Sequence, residues 1–315
     1  MQSIALKSKK TLSKKDANMK KVLVIGTTSW DTIINMNDFP QASGTYFADG
    51  RRDVLGGTAS GKSLNLHRLG FEVTLVTKMA NDEAGRKIQS TLRDEGITYH
   101  YIEDETSTER HTNLMNQWGE RISIYTDYGT FGQGFNIFGY EKLIEEADII
   151  LLDICEFIKH LFPILKKYKD KIWVDIHDFD GENPWHKEFL PLATGIFMSS
   201  DSLKTVEKVA EVVDTLLQEK QFVVCTHGKQ GAEYLGADGK RVFQGIVDSF
   251  TPVDSNGAGD AFVSGFLYGI SKDLPVAKCM KYATLVSGYT ISSPLLYNSE
   301  LSVENLEKMY QKSFD

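Results

Sequence analysis

Val22-Leu23-Val24-Ile25-Gly26 is an unbroken apolar, β-branched run ending in glycine. A strand buried on both faces reads this way, as in a parallel sheet. From Tyr140 onward the same signal repeats at regular intervals. The pattern predicts helix 140–147 and strand 148–153, then helix 158–168 and strand 171–176. Strand 194–199, helix 206–219 and strand 222–226 follow. Strands alternating with helices imply a parallel sheet covered by helices on both faces.

The first third of the chain is patterned differently. Residues 33–54 alternate weakly and are broken by Pro40, Ser43-Gly44 and Asp49-Gly50, which fits short strands outside the main sheet. Residues 71–78 alternate as a strand, and Asn81-Asp82-Glu83-Ala84-Gly85 opens an amphipathic helix through Leu92. Residues 98–127 predict two or three strands. Within them Arg110–Gln117 meets a Trp118-Gly119-Glu120 turn and returns as Arg121–Tyr125, a hairpin. Arg110 and Arg121 are read as surface cations, with contact to substrate or phosphate as the alternative. After residue 260, apolar positions at helical spacing predict a helix, and residues 276–290 predict another.

The chain has 315 residues, 41% hydrophobic and 25% charged, which places it among globular proteins with a substantial core. Its formal net charge of −8 argues against a general nucleic-acid surface. The three cysteines, Cys155, Cys225 and Cys279, lie among apolar residues and form no disulfide or zinc spacing. No apolar run is long enough to span a membrane, and residues 1–18 lack the apolar core of a signal peptide. They carry five lysines and read as a disordered basic tail ahead of one domain over 19–315. A reducing, cytoplasmic setting follows.

Chemistry concentrates in Asp254-Ser255-Asn256-Gly257-Ala258-Gly259-Asp260. A Gly-rich turn that opens a helix presents unpaired N–H groups at the positive end of the helix dipole, an anion site. Asp260, where turn becomes helix, is either a cap or a base beside a bound phosphate. Asp31 follows the first strand, at the sheet end where open α/β sheets bind ligands. Gly56-Gly57-Thr58-Ala59-Ser60-Gly61-Lys62-Ser63 fits the phosphate-loop pattern G-x-x-x-x-G-K-S/T. A phosphate loop needs a buried strand directly before it, and residues 46–55 do not form one.

The 254–260 stretch resembles the second signature of the ribokinase-like (PfkB-type) carbohydrate kinases, usually D-T-x-G-A-G-D, with Ser255 keeping the hydroxyl. Gly56-Gly57 followed by Asn65, Leu66, Leu69 and Gly70 resembles that family's first signature. Asn81–Gly85 resembles its G-x-D-x-x-G step, although capping alone would explain Asp82. Thr226-His227-Gly228-Lys229-Gln230-Gly231 resembles its nucleotide step. The resemblance implies a three-layer α/β/α fold with a mostly parallel central sheet. A small β-sheet lid would be drawn from roughly 32–55 and 98–127. It implies ATP-dependent transfer of a phosphoryl group to a sugar hydroxyl.

The implied roles are these. Asp260 is the base, and the N–H groups of Gly257, Ala258 and Gly259 stabilise the transferring group. Asp31, Gly56, Gly57, Gly61 and Lys62 face the sugar. Thr226, Gly228, Gly231, Asn256 and Ser287 face the nucleotide. Asp254 belongs to a site for a monovalent cation such as K⁺. Mg²⁺ accompanies ATP, and a homodimer through the lid is possible.

Two departures stand out. Gly61 stands where many relatives have a sugar-binding Asn, and Lys62 or Ser63 could supply a substitute contact. Ser199-Ser200-Asp201-Ser202 replaces the N-x-x-E that helps organise Mg²⁺, leaving Asp201 as the nearby carboxylate and the metal mostly to the phosphates. A nucleoside kinase on the same fold, a non-catalytic ligand-binding relative and a phosphate-loop enzyme remain as alternatives.

Overall fold

A computed structural model describes residues 20–130 and 138–314. The basic tail of residues 1–18 lies outside the described residues. The strands run β1 Lys21–Ile25, β2 Ser29–Asn35, β3 Gly50–Gly56, β4 Glu72–Ala80, β5 Thr98–Asp104, β6 Arg110–Met115 and β7 Arg121–Asp127. They continue as β8 Ile149–Leu152, β9 Ile172–Asp175, β10 Gly195–Ser199, β11 Phe222–Thr226, β12 Ala232–Gly236 and β13 Arg241–Gln244. The helices are α1 Thr58–Arg68, α2 Glu83–Asp94, α3 Phe138–Glu146 and two single turns, α4 Phe162–Leu165 and α5 Pro184–Lys187. Then come α6 Val206–Leu217, α7 Ala258–Ser271, α8 Val276–Ile291 and α9 Val303–Phe314.

Nine strands form one sheet in the order β13-β12-β11-β10-β9-β8-β1-β4-β5. It is parallel from β11 through β5, and β12 and β13 add an antiparallel edge. Because side chains alternate along a strand, β1 sends Val22 and Val24 to one face and Leu23 and Ile25 to the other. The first face packs under α1, α7 and α8, the second under α3 and α6. Phe266 of α7 sits among Trp173, Phe197 and Phe222, ring centroids 5.6–6.2 Å away. Burial of that ring, worth about 1.5–3 kcal/mol, fixes the depth of α7 over the sheet. All three cysteines are free and buried, as their apolar neighbours imply.

A second sheet, β3-β2-β6-β7, stands apart as the lid. The lid corrects one expectation: Thr98–Asp104 is not part of it. That strand pairs in parallel with β4 from Thr74↔Thr98 to Ala80↔Asp104, so it is the edge of the main sheet. The helix expected over 158–168 is also interrupted. Pro163 stands in the first turn of α4, and 3₁₀ turns flank it at Glu156–Leu161 and Lys166–Lys171.

Candidate active site

The parallel strands β1, β8, β9, β10 and β11 all end at the same edge of the sheet. These strand ends and the loops beyond them form one side of the candidate site, and the starts of α1 and α7 and the strand β2 supply the rest. β1 and β8 lead to Gly26 and Asp153, and β9 ends on Asp175. Ser199 and Thr226 close β10 and β11.

Asp260 lies in the first turn of α7, buried, with the left-handed Gly257 (φ 78°) as N-cap. A left-handed cap is easy only for glycine and turns the chain sharply into the helix. The helix start leaves backbone N–H groups facing outward. Ala258 already donates to the Ser255 carbonyl at 3.3 Å, so Gly257 and Gly259 are the better placed of the three expected donors.

Lys62 sits in the second turn of α1 with only 1% of its surface exposed. Its Nζ is 2.7 Å from Asp153 Oδ1, 2.9 Å from Asp175 Oδ2 and 2.7 Å from Asp260 Oδ1. Burial alone would lower the lysine's pKa, but the three carboxylates hold it well above the ordinary value. Asp175 is pushed up by burial and drawn down further by Lys62 and His177, and ends below the usual range. Asp260 is pushed up by burial, held down by Lys62 and raised again by Asp175 and Asp153, reaching about 6.

The sequence places Lys62 on the sugar side; the structure turns its ammonium to this carboxylate cluster instead. It also removes the phosphate-loop alternative. β3 before Gly56-Gly57 belongs to the lid, and the lysine is spent inside the protein. Gly61 is packed against the same carboxylate: a Cβ there would lie 2.9 Å from Asp260 Oδ2. Asn65, one helical turn beyond Gly61, donates to the Gly61 and Leu296 carbonyls and has no surface to offer a ligand. The hydroxyl of Ser63 is likewise buried.

Asp31 belongs to β2 of the lid and is 2% exposed. Its Oδ2 accepts from Asn113 Nδ2 at 3.2 Å and lies 2.2 Å from where a Cβ on Gly56 would be. Among the described residues its buried Oδ1 receives no hydrogen bond, with His111 Nδ1 3.4 Å away. A buried, under-used carboxylate oxygen is an acceptor suited to a hydroxyl donor. Gly57 caps α1 next to it. His111, Asn113 and Tyr125, on β6 and β7, were not singled out by sequence reasoning. Their alternation toward one lid face was the available signal.

On the nucleotide side, Thr226 donates to the Met198 carbonyl at 3.4 Å, and the turn Gly228–Gln230 leads to Gly231. Ser287 of α8 donates to the Ala258 carbonyl at 3.0 Å, tying α8 to the start of α7. Asp201 is exposed beyond β10. Three contacts join lid and signature loop. Arg52 of β3 pairs with Asp254 at 2.5 Å, Ser255 donates to the Gly119 carbonyl at 3.0 Å, and Arg121 of β7 donates to Asn256 Oδ1.

These contacts bear on the expected metals. Arg52 holds Asp254 Oδ2, and the Asn256 N–H donates to Oδ1 at 2.8 Å. Each oxygen thus has one protein donor and keeps a second lone pair, and Arg52 already offsets the Asp254 charge. The Asp153–Asp175 pair is close enough to His177 to chelate a cation. Lys62 holds one oxygen of each, however, while Thr58 and the His177 N–H occupy the others at 2.6 and 3.1 Å. The cluster therefore does not fit a divalent ion.

The pfkB family carbohydrate kinase description matches residues 19–302. The chain belongs to the pfkB carbohydrate kinase family. It is 26% identical over 279 residues to an acarbose 7(IV)-phosphotransferase of an Actinoplanes strain, covering 87% of this chain and 92% of the relative. It is 24% identical to a ribokinase of Bacillus subtilis, covering 87% and 94%. Among solved structures, a microbiome-derived acarbose kinase superposes with a TM-score of 0.81 at 24% identity, covering 94% of this chain and all of the other. An Arabidopsis thaliana ribokinase solved with ribose and ATP superposes at 0.77 with 16% identity, covering 93% and 99%. This pfkB kinase thus has the ribokinase fold and is a carbohydrate kinase. Kinases of its family bind a sugar and ATP and use a divalent metal. Among the described residues no helix is long and apolar enough to cross a membrane.

Proposed function

We propose that this kinase transfers the γ-phosphoryl group of ATP to a hydroxyl of a small sugar held between the lid and the C-terminal edge of the main sheet. The observation that carries the reading is Asp260 in the first turn of α7, with one oxygen on Lys62 and the other beside Gly61. Asp260 Oδ2 takes the proton of the acceptor hydroxyl. The acceptor oxygen bonds to the γ-phosphorus as the bond to the ADP oxygen breaks, and the electron pair leaves with ADP. The helix start, through the N–H groups of Gly257 and Gly259, stabilises charge on the transferring group. Asp31 and Asn113 orient the sugar. A divalent ion such as Mg²⁺, held mostly by the nucleotide's own phosphates, would offset phosphate charge there.

Asp260→Asn keeps the shape of the side chain and removes the base. It should reduce kcat by about 10²–10⁴-fold, the range for general base catalysis, with the melting temperature near that of the parent. A panel of monosaccharides, disaccharides and nucleosides read by coupled ADP formation supplies the acceptor. Near-normal turnover by the variant would remove Asp260 from the mechanism. Turnover of nucleosides with every sugar inert would replace the sugar by a nucleoside.

A further inference from the structure

Lys62 is a fully buried cation bonded to acids from three separate elements, and the reaction scheme above gives it no role. A buried lysine needs one good partner; this one has three, and all stand at the ligand-binding edge of the sheet. We propose that Lys62 is the positioning residue for Asp260: its ammonium, anchored by Asp153 and Asp175, holds the Asp260 carboxylate against α1 and supports its negative charge. The inference rests on Asp260 being the base.

Two neighbouring positions act together. Gly61 has no side chain, so the Asp260 carboxylate can lie against the backbone of α1, where a Cβ would come within 2.9 Å of Oδ2. Lys62, the next residue, takes Oδ1. One oxygen is thereby fixed and the other left for the acceptor.

The charges around Asp260 come from every side. Lys62 faces it from α1. Asp153 faces it from beyond β8, with Thr58 Oγ1 donating to Asp153 Oδ2 at 2.6 Å. Asp175 faces it from the end of β9, with His177 Nδ1 3.5 Å from Asp175 Oδ1. On α7 itself the Ser264 hydroxyl donates to the Asp260 carbonyl. Without the ammonium, Asp260 would sit buried beside two like charges, an arrangement that favours its neutral form. The anchoring pair has a second effect. When Asp260 accepts a proton, Lys62 keeps two carboxylate partners, so the base can change charge without stranding a buried cation.

The test follows the aspartate carboxyl carbons by ¹³C NMR in protein labelled at aspartate. The Asp260 signal is assigned by its loss in Asp260→Asn. No sugar is needed, so this readout is separate from the identity of the base. Asp260 should titrate near pH 6 in the parent. Lys62→Met should raise that midpoint by about one to three pH units, the size of a close opposite charge. Lys62→Arg should leave it within about one unit. Asp153→Asn should lower it, and it stands in if Lys62→Met does not fold. The acid limb of kcat/KM, measured with MgATP and the acceptor found in the panel, should move the same way. Midpoints that stay put in Lys62→Met and Asp153→Asn would overturn the proposal. If Asp260→Asn is active, the base assignment fails. If it is inactive and the limbs do not move, only the role of Lys62 fails.

Discussion

His111 stands 3.4 Å from Asp31 Oδ1 and 3.0 Å from Glu109 Oε1, with the Tyr125 ring tilted against it at 4.1 Å between centroids. Burial would lower its pKa, but the contacts with the two carboxylates raise it to about 9. A raised histidine stabilises the fold fully below its unfolded pKa, about 6.5, and the contribution is lost as pH rises through about 9. The melting temperature should therefore fall between those values. His111→Gln should flatten that slope, checked by thermal melts across pH 6 to 10. At this scale Asp260, Asp31 and Gly56 stood out in the sequence as candidates, because a carboxylate at a helix start or a close backbone approach recurs at fixed spacing in a motif. Lys62 was legible as a residue and not as a partner. Its spacing places it on α1, but only the strand ends bring Asp153 and Asp175 to the same point. Both follow apolar runs in the sequence, and that repeated signal was the available clue.

Asp82 shows what a cap can do beyond its own helix. Its side chain accepts from the Gly85 N–H at 2.7 Å, closing the first turn of α2. It also accepts from the N–H and hydroxyl of Thr108 at 2.9 and 2.7 Å, which ties α2 to the chain between β5 and β6. Asp82→Ala should cost about 1–3 kcal/mol in urea unfolding and leave kcat within about twofold. Elements with a single strong period were legible: β1, β11, α6 and α8 lie within a few residues of their expected bounds. β5 was assigned to the lid because alternation shows only that one face is buried, and main-sheet edge and lid share that pattern. The β12–β13 hairpin and α9 went unassigned in the sequence. β12 and β13 are short edge strands, and among α9's twelve residues only Leu306 and Tyr310 are buried.

The described residues form two parts, and one of the seams between them joins the lid to residues 254–256. The sheet and its helices carry the residues proposed to face the nucleotide, and the lid carries Asp31 and Asn113, proposed to face the sugar. The layered architecture follows from strand–helix alternation, which the apolar periodicity shows directly. How lid and body touch does not, because Arg52, Arg121 and Gly119 reach residues more than 130 positions away. Those contacts have a thermodynamic consequence. If sugar binding favours the arrangement in which the lid grips residues 254–256, nucleotide affinity must rise by the same factor by which nucleotide raises sugar affinity. Calorimetry with a non-hydrolysable ATP analogue, with and without the acceptor sugar, should give equal factors in both directions, about 5–150-fold. In Arg121→Ala they should shrink toward one. The seam would then make each ligand a sensor of the other, and free ATP would be a poorer guest than ATP arriving at a site already holding sugar.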